Sequence, residues 1–288
     1  MTHRLPSLRG PARALAIAVV AGVFLAPLYW MITMAFKPQA EWNPPGGTIW
    51  FPLHATFANF SAILSSSGTS VFEASPTNAT GPIEHSVIAA TGGTVLALLI
   101  GVLAAYGIGR FRAGGRLLPF QVLQLRMFPP VAIIIPLLIM MAYLNLVDTY
   151  LGLWLVYAAV TFPFVVWLMR SFFQELPREI GEAAIVDGCT HWGAFFKAIL
   201  PNVKGGLAAT ALFVFILNWS DFLIALVLTS QNVVTAPVFL NSLQSAGAGQ
   251  EYGPQAALGL ILVLPPAIFG LLIQRYLVRG LTFGAIKQ

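Results

Sequence analysis

Six stretches of this 288-residue chain are long and apolar enough to exclude a soluble fold. Crossing a hydrocarbon core of about 30 Å takes about 20 mostly apolar residues. Such stretches extend over roughly 14–36, 87–109, 118–147, 150–169, 203–229 and 252–274. Inside a bilayer each must be helical, because open backbone finds no water to bond there. Prolines at 27, 129, 130, 136, 163, 265 and 266 therefore predict kinks rather than breaks. The chain is 58% hydrophobic and only 9% charged, against roughly 25% charged in a soluble domain, so it lacks the polarity for a water-facing surface. The first stretch also exceeds the apolar region of about 7–15 residues in a cleavable signal.

Lysines and arginines give the orientation. Arg4, Arg9 and Arg13 precede the first stretch, and Arg110, Arg112 and Arg116 lie between the second and third. Arg170, Arg178, Lys197 and Lys204 fall between the fourth and fifth, while Arg275, Arg279 and Lys287 follow the sixth. The opposite connections hold only Lys37. The positive-inside rule places both termini and the insert between stretches four and five in the cytoplasm. The net charge of +5 thus reflects orientation and argues against nucleic acid as a partner. Loop 37–84 then faces outward; rich in Pro, Gly, Ser and Thr, it predicts turns and short helices with surface for an external partner. One cysteine, Cys189, excludes an internal disulfide and a cysteine metal site, and the four histidines lack ligand-like spacing. The expected fold is an all-α integral membrane protein, a single domain over 1–288 with six transmembrane helices.

The insert predicts its own local structure. Pro177 suits a first helical turn, where its missing N–H is not needed, and Glu179 and Glu182 favour that helix N-terminus. Asp187-Gly188 is a turn signal, since glycine readily takes positive φ. A second helix is expected from about Thr190 to Ile199, stopping near Leu200-Pro201. A helix resting on anionic lipid would be basic, yet Glu175, Glu179, Glu182 and Asp187 cluster here. An acidic helix with a small Ala183-Ala184 face suits a protein cleft.

These residues carry a family resemblance. Glu182-Ala183-Ala184, Asp187-Gly188 and Ile199-Leu200-Pro201 match the EAA coupling motif of permease subunits of binding-protein-dependent ABC importers. The ending RYLVRGLTFGAIK, FKPQAEW after the first stretch, and Asn218-Trp219-Ser220-Asp221-Phe222 resemble the carbohydrate branch, the MalG-like permeases. The likeness extends over nearly the whole chain and is weakest in the external loop. It implies an ABC importer type I permease whose coupling helices, at 177–200, dock into a cytoplasmic ATPase. Glu179, Glu182, Ala183, Ala184, Asp187 and Gly188 would contact that ATPase, and Arg279 and Lys287 of the 275–288 tail would add a second contact. The implied partners are a second homologous permease, an ATPase dimer, an extracytoplasmic solute-binding protein and membrane lipid. The implied solute is a sugar, oligosaccharide or sugar alcohol, and the implied place is a bacterial cytoplasmic membrane. No G-x-x-x-x-G-K-[ST] phosphate loop is present; the resemblance implies that ATP and magnesium are bound by the partner ATPase, and no cofactor, metal site or catalytic residue is expected on this chain.

Charge at membrane depth is costly enough to suggest function. Arg126 and Asp221 interrupt apolar stretches, and with Gln124, Asn218 and Trp219 they are candidates to line a solute path. Polar groups there would bond hydroxyls, and an aromatic face would stack on a sugar ring. Snorkelling of Arg126 to the cytoplasmic interface, a place for Asp221 near the outer end of its helix, and a structural pair within the permease dimer are the competing roles. Gly92, Gly93, Gly101 and Gly107 predict close helix approach. An ABC importer for another small solute is an alternative. An ion-coupled secondary transporter is a weaker one, because Asp221 is its only credible intramembrane carboxylate.

Overall fold

Helices follow the apolar stretches. The computed structural model describes residues 10–65, 78–115, 117–125, 129–245 and 249–283. Its helices are α1 (Pro11–Phe36), α2 (Ala58–Leu64), α3 (Thr80–Phe111), α4 (Leu118–Gln124), α5 (Pro130–Tyr143) and α6 (Tyr150–Glu175). The insert holds α7 (Arg178–Val186) and α8 (His191–Asn202). Then follow α9 (Lys204–Trp219), α10 (Leu223–Leu228), α11 (Ala236–Ser242) and α12 (Tyr252–Phe283). A two-residue antiparallel pairing, Gln244 with Gln250 and Ser245 with Gly249, is the sole strand pairing among the described residues. The protein is all-α.

Four described helices can cross a membrane by length and composition: Ala12–Phe36, Thr80–Phe111, Tyr150–Glu175 and Tyr252–Leu272. A fifth is reached by counting α8 and α9, bent by 77°, as one. The stretch expected over 118–147 comprises the short α4 and α5. At Pro129-Pro130 the expected kink is a fresh helix start, with Pro130 opening α5 where no N–H is required. The stretch expected over 203–229 stops at Trp219 and resumes at Leu223. The last stretch runs on as helix through Phe283, so the expected tail begins helical. Residues 80–84 of the expected external loop belong to α3.

The chain divides into two compact units, Met1–Thr80 with Ser242–Val263 and Gly81–Asn241 with Leu264–Gln288. In the first, polar groups fasten the loop after α1. The Asn59 amide donates to the carbonyls of Ala35 and Lys37, both at 2.8 Å, occupying acceptors that the end of α1 leaves open. Trp42 Nε1 donates to Lys37 O at 3.0 Å. The buried Lys37 ammonium bonds Ile49 O and lies 4.6 Å from the Trp30 ring centroid. Glu41 accepts the amides of Leu53 (2.9 Å) and His54 (3.0 Å) and pairs with the His54 ring. Burial works against its charge, but these bonds outweigh it and hold the carboxyl below its usual range.

In the second unit α3 lies against α6. A Cβ at Gly92 would stand 2.2 Å from the Trp154 ring, and one at Gly101 would stand 2.6 Å from Val165. Nothing lies within 4 Å of such an atom at Gly107, so the close approach expected there is not made. One apolar cluster joins α3, α6, α8 and α9 through Ala105, Val165, Phe173, Phe195, Ile199 and Val214. Another joins α3, α5, α6 and α10 through Ala89, Ile134, Tyr157, Ile224 and Leu228. Between membrane helices such clusters act through close van der Waals packing rather than through removal of apolar surface from water. Asp148, before α6, accepts the amides of Ser230, Gln231, Asn232 and Val233 at 2.9–3.2 Å. It thereby ties the α5–α6 corner to the loop after α10.

Candidate functional site

The insert is built from its turn outward. Pro177 caps α7 in extended conformation, and Glu179 lies in the first turn. Gly181 is buried and Ile180 and Ala184 are half-buried, while Glu179, Glu182, Ala183 and Val186 are exposed. These four follow the i, i+3, i+4, i+7 spacing of one helix face, and Arg178 and Ile185 are exposed as well. Val186, at that face's end, is 86% exposed. Asp187 is exposed beside it.

Gly188 has φ +88° and closes α7. Its amide donates to Ile185 O at 2.9 Å, and the Cys189 amide donates to Ala184 O at 3.0 Å. This paired pattern satisfies two carbonyls at the helix end. Thr190 then caps α8, its hydroxyl accepting the Gly193 amide at 3.1 Å. Helix α8 passes through Pro201 to Asn202 rather than stopping before it; residues Phe195–Ile199 form a wider π turn that loosens the backbone ahead of the proline, which has no N–H to give.

Beneath α7 and α8 lies an aromatic floor. Tyr106 of α3 packs on Phe195 (centroids 4.7 Å) and on Phe173 (5.4 Å). Phe195 and Phe173 are each 1% exposed, which fixes the insert to α3 and α6. Arg110, one turn beyond Tyr106, donates to the carbonyls of Leu176 (3.1 Å), Pro177 (3.4 Å) and Arg178 (2.7 Å). A pocket of about 210 Å³ opens between the end of α3 and α7, lined by Arg110, Glu182 and His191 among others. On α8, Trp192 and Phe196 stand exposed and stacked, with centroids 6.2 Å apart.

A second polar group lies where α9 gives way to α10. Asp221 Oδ2 accepts the Tyr157 hydroxyl and the Ala225 amide, each at 3.1 Å, and so caps α10. Asn218 Nδ2 donates to Thr94 Oγ1 at 3.1 Å. Asn218 and Trp219 are each 4% exposed, and Trp219 stacks on Phe215 at 5.8 Å. Three of the path candidates, Asn218, Trp219 and Asp221, thus share one helix break. Gln124 is the exposed last residue of α4 and has no hydrogen bond to this group among the described residues. Arg126 and Lys287 lie outside the described residues, and Arg279 is described as backbone of α12 alone.

Sequence reasoning missed Tyr157, Thr94, Tyr106 and Phe195 as members of these groups and treated Arg110 as a topology charge. A tyrosine and a threonine inside apolar stretches were the signals available for two of them.

Over residues 97–283 the chain matches the family described as binding-protein-dependent transport system inner membrane component. It is 33% identical over 272 residues to the trehalose transport system permease protein SugB of Mycobacterium tuberculosis, covering 93% of this chain and 94% of that protein. It is 33% identical over 271 residues to the trehalose/maltose transport system permease protein MalG of Thermococcus litoralis, with the same coverage of each. Its fold is similar to a chain in the crystal structure of a bacterial ABC transporter involved in the import of the acidic polysaccharide alginate. That match has a TM-score of 0.76 and 21% identity, covering 96% of this chain and 99% of the other.

Proposed function

Because the chain belongs to the family of binding-protein-dependent transport system inner membrane components, we propose that it imports a sugar, oligosaccharide or sugar alcohol as one of two permeases driven by a separate ATPase pair. An external solute-binding protein delivers the solute, and ATP and magnesium are bound by the ATPase. The trehalose and trehalose/maltose permeases support the solute class. In this reading α1, α3, α4 with α5, α6, α9 with α10, and α12 are six spans. Both termini, the insert and the 275–288 tail face the cytoplasm.

The observation that carries the coupling role is the exposed Glu179–Glu182–Ala183–Val186 face, on a helix packed at Gly181 against Ile199 of α8 and ended by the Gly188 turn. That face enters the ATPase cleft, with Glu182 as its main polar anchor and Ala183 and Ala184 allowing close approach. Asp187 and the tail residues Arg279 and Lys287 extend the contact. The junction of α9 and α10 serves the solute path. A helix broken at membrane depth frees polar groups where a solute passes, and Asp221, Asn218 and Trp219 stand there, with Gln124 and Arg126 as further lining.

The test of the coupling role is Glu182→Ala. The variant should fold but lose most ATPase recovery on affinity purification. Wild-type recovery together with wild-type uptake of a radiolabelled disaccharide transported by the parent would overturn it.

A further inference from the structure

The guanidinium of Arg110 bonds main-chain oxygen and takes part in no ion pair among the described residues. Its three acceptors come from consecutive residues with different places in the fold. Leu176 follows the last turn of α6, Pro177 caps α7, and Arg178 opens α7. One planar fork therefore grips the end of one helix, the corner and the start of the next. It also brings positive charge to the carbonyl end of α6, where positive charge is favoured.

Two further contacts tighten the joint. Gly181 lets α7 come close: a Cβ there would stand 3.2 Å from Arg110 Nη2 and 3.3 Å from Ile199 Cδ1. Tyr106, four residues before Arg110 and so on the same face of α3, packs on Phe195 of α8. The last turn of α3 is thus bonded to the root of α7 and packed on α8, although more than 60 residues of chain separate them.

We infer that Arg110 is a positioning residue that makes the end of α3 and the root of α7 one rigid body, so that displacement of α7 reaches α3 directly as well as along the chain into α6 and α9. The inference rests on the coupling reading above. It adds a third helix, remote in sequence, to those driven by the insert. Lysine cannot replace the fork, since a single ammonium does not reach three carbonyls in this geometry.

The experiment uses the assembled complex in lipid nanodiscs, with the single cysteine removed by Cys189→Ser. Spin labels are attached through Leu99→Cys, on an exposed part of α3, and Arg178→Cys, whose side chain is exposed while its carbonyl remains. The interspin distance is measured without nucleotide and with Mg-ATP plus vanadate. With Arg110 present it should be narrow and the same in both states. In Arg110→Ala it should shift between states by on the order of 2 Å or broaden, with Arg110→Lys in between.

A nucleotide-dependent distance in the parent overturns the inference, as does an unchanged narrow distance in Arg110→Ala. If Arg110→Ala sheds the ATPase, Gly181→Ala replaces it, crowding the fork without removing the charge. It should broaden the distance, and an unchanged distance overturns the inference. Failure of the parent chain to hold an ATPase at all overturns the coupling reading instead, and this inference with it.

Discussion

The Tyr157 hydroxyl donates to Asp221 Oδ2 at 3.1 Å, and through that bond α6 holds the point where α9 ends and α10 begins. The same oxygen caps α10 through the Ala225 amide. One carboxylate therefore both ends a break in the apolar pattern and bonds a neighbouring helix.

Tyr157→Phe removes the donor and leaves the cap. It should lower the stability of the detergent-solubilised protein by about 1 kcal/mol, read as an earlier midpoint in thermal unfolding followed by tryptophan fluorescence. Asp221→Asn keeps an acceptor oxygen but replaces the carboxyl with an amide. In the proposed path role it should reduce sugar uptake by the assembled complex more than it reduces stability. Full uptake in Asp221→Asn would make the group structural.

Asp148 gives a dependence on pH. Burial alone would raise its pKa, but the amides of Ser230, Asn232 and Gln231 and the Ser230 hydroxyl outweigh burial and hold it well below the ordinary 3.8. A group depressed in the folded state stabilises the fold above its unfolded pKa, and that stability is lost as pH falls from about 3.8 through the folded value. Asp148→Asn should therefore cost about 1–2 kcal/mol at pH 7 after solvent screening. The gap between variant and parent should narrow as pH falls below 4. A gap that stays constant down to pH 3 would contradict this account.

Gly188 closes α7 at φ +88°, a region that side chains enter with strain. No atom lies within 4 Å of a Cβ there, so backbone conformation alone opposes substitution. Gly188→Ala should cost about 1 kcal/mol and weaken ATPase recovery. Gly107→Ala, in an equally open position without positive φ, should do neither. Equal behaviour of the two variants would show that the turn conformation does not matter.

The all-α membrane fold was legible because hydropathy adds along a helix and needs no knowledge of neighbours. The turn at Asp187-Gly188 was legible because its chemistry is local. The break between Trp219 and Leu223 was not, since no proline or glycine marks it and Asp221 acts through Tyr157, 64 residues away. Nor was the grip of Arg110 on Leu176, Pro177 and Arg178, because main-chain carbonyls carry no residue signature. The end of α8 moved past Pro201 because the π turn adapted to it, a backbone adjustment that side-chain pattern does not report.

The central claim is that the α7 face is a docking surface for an ATPase in a two-permease importer. The most direct measurement is affinity purification of the chain from its native membrane in mild detergent, with mass spectrometry of what accompanies it. Stoichiometric recovery of an ATPase and a second, homologous permease is the result expected. Recovery of the chain alone, still folded and able to transport sugar after reconstitution, would contradict the account.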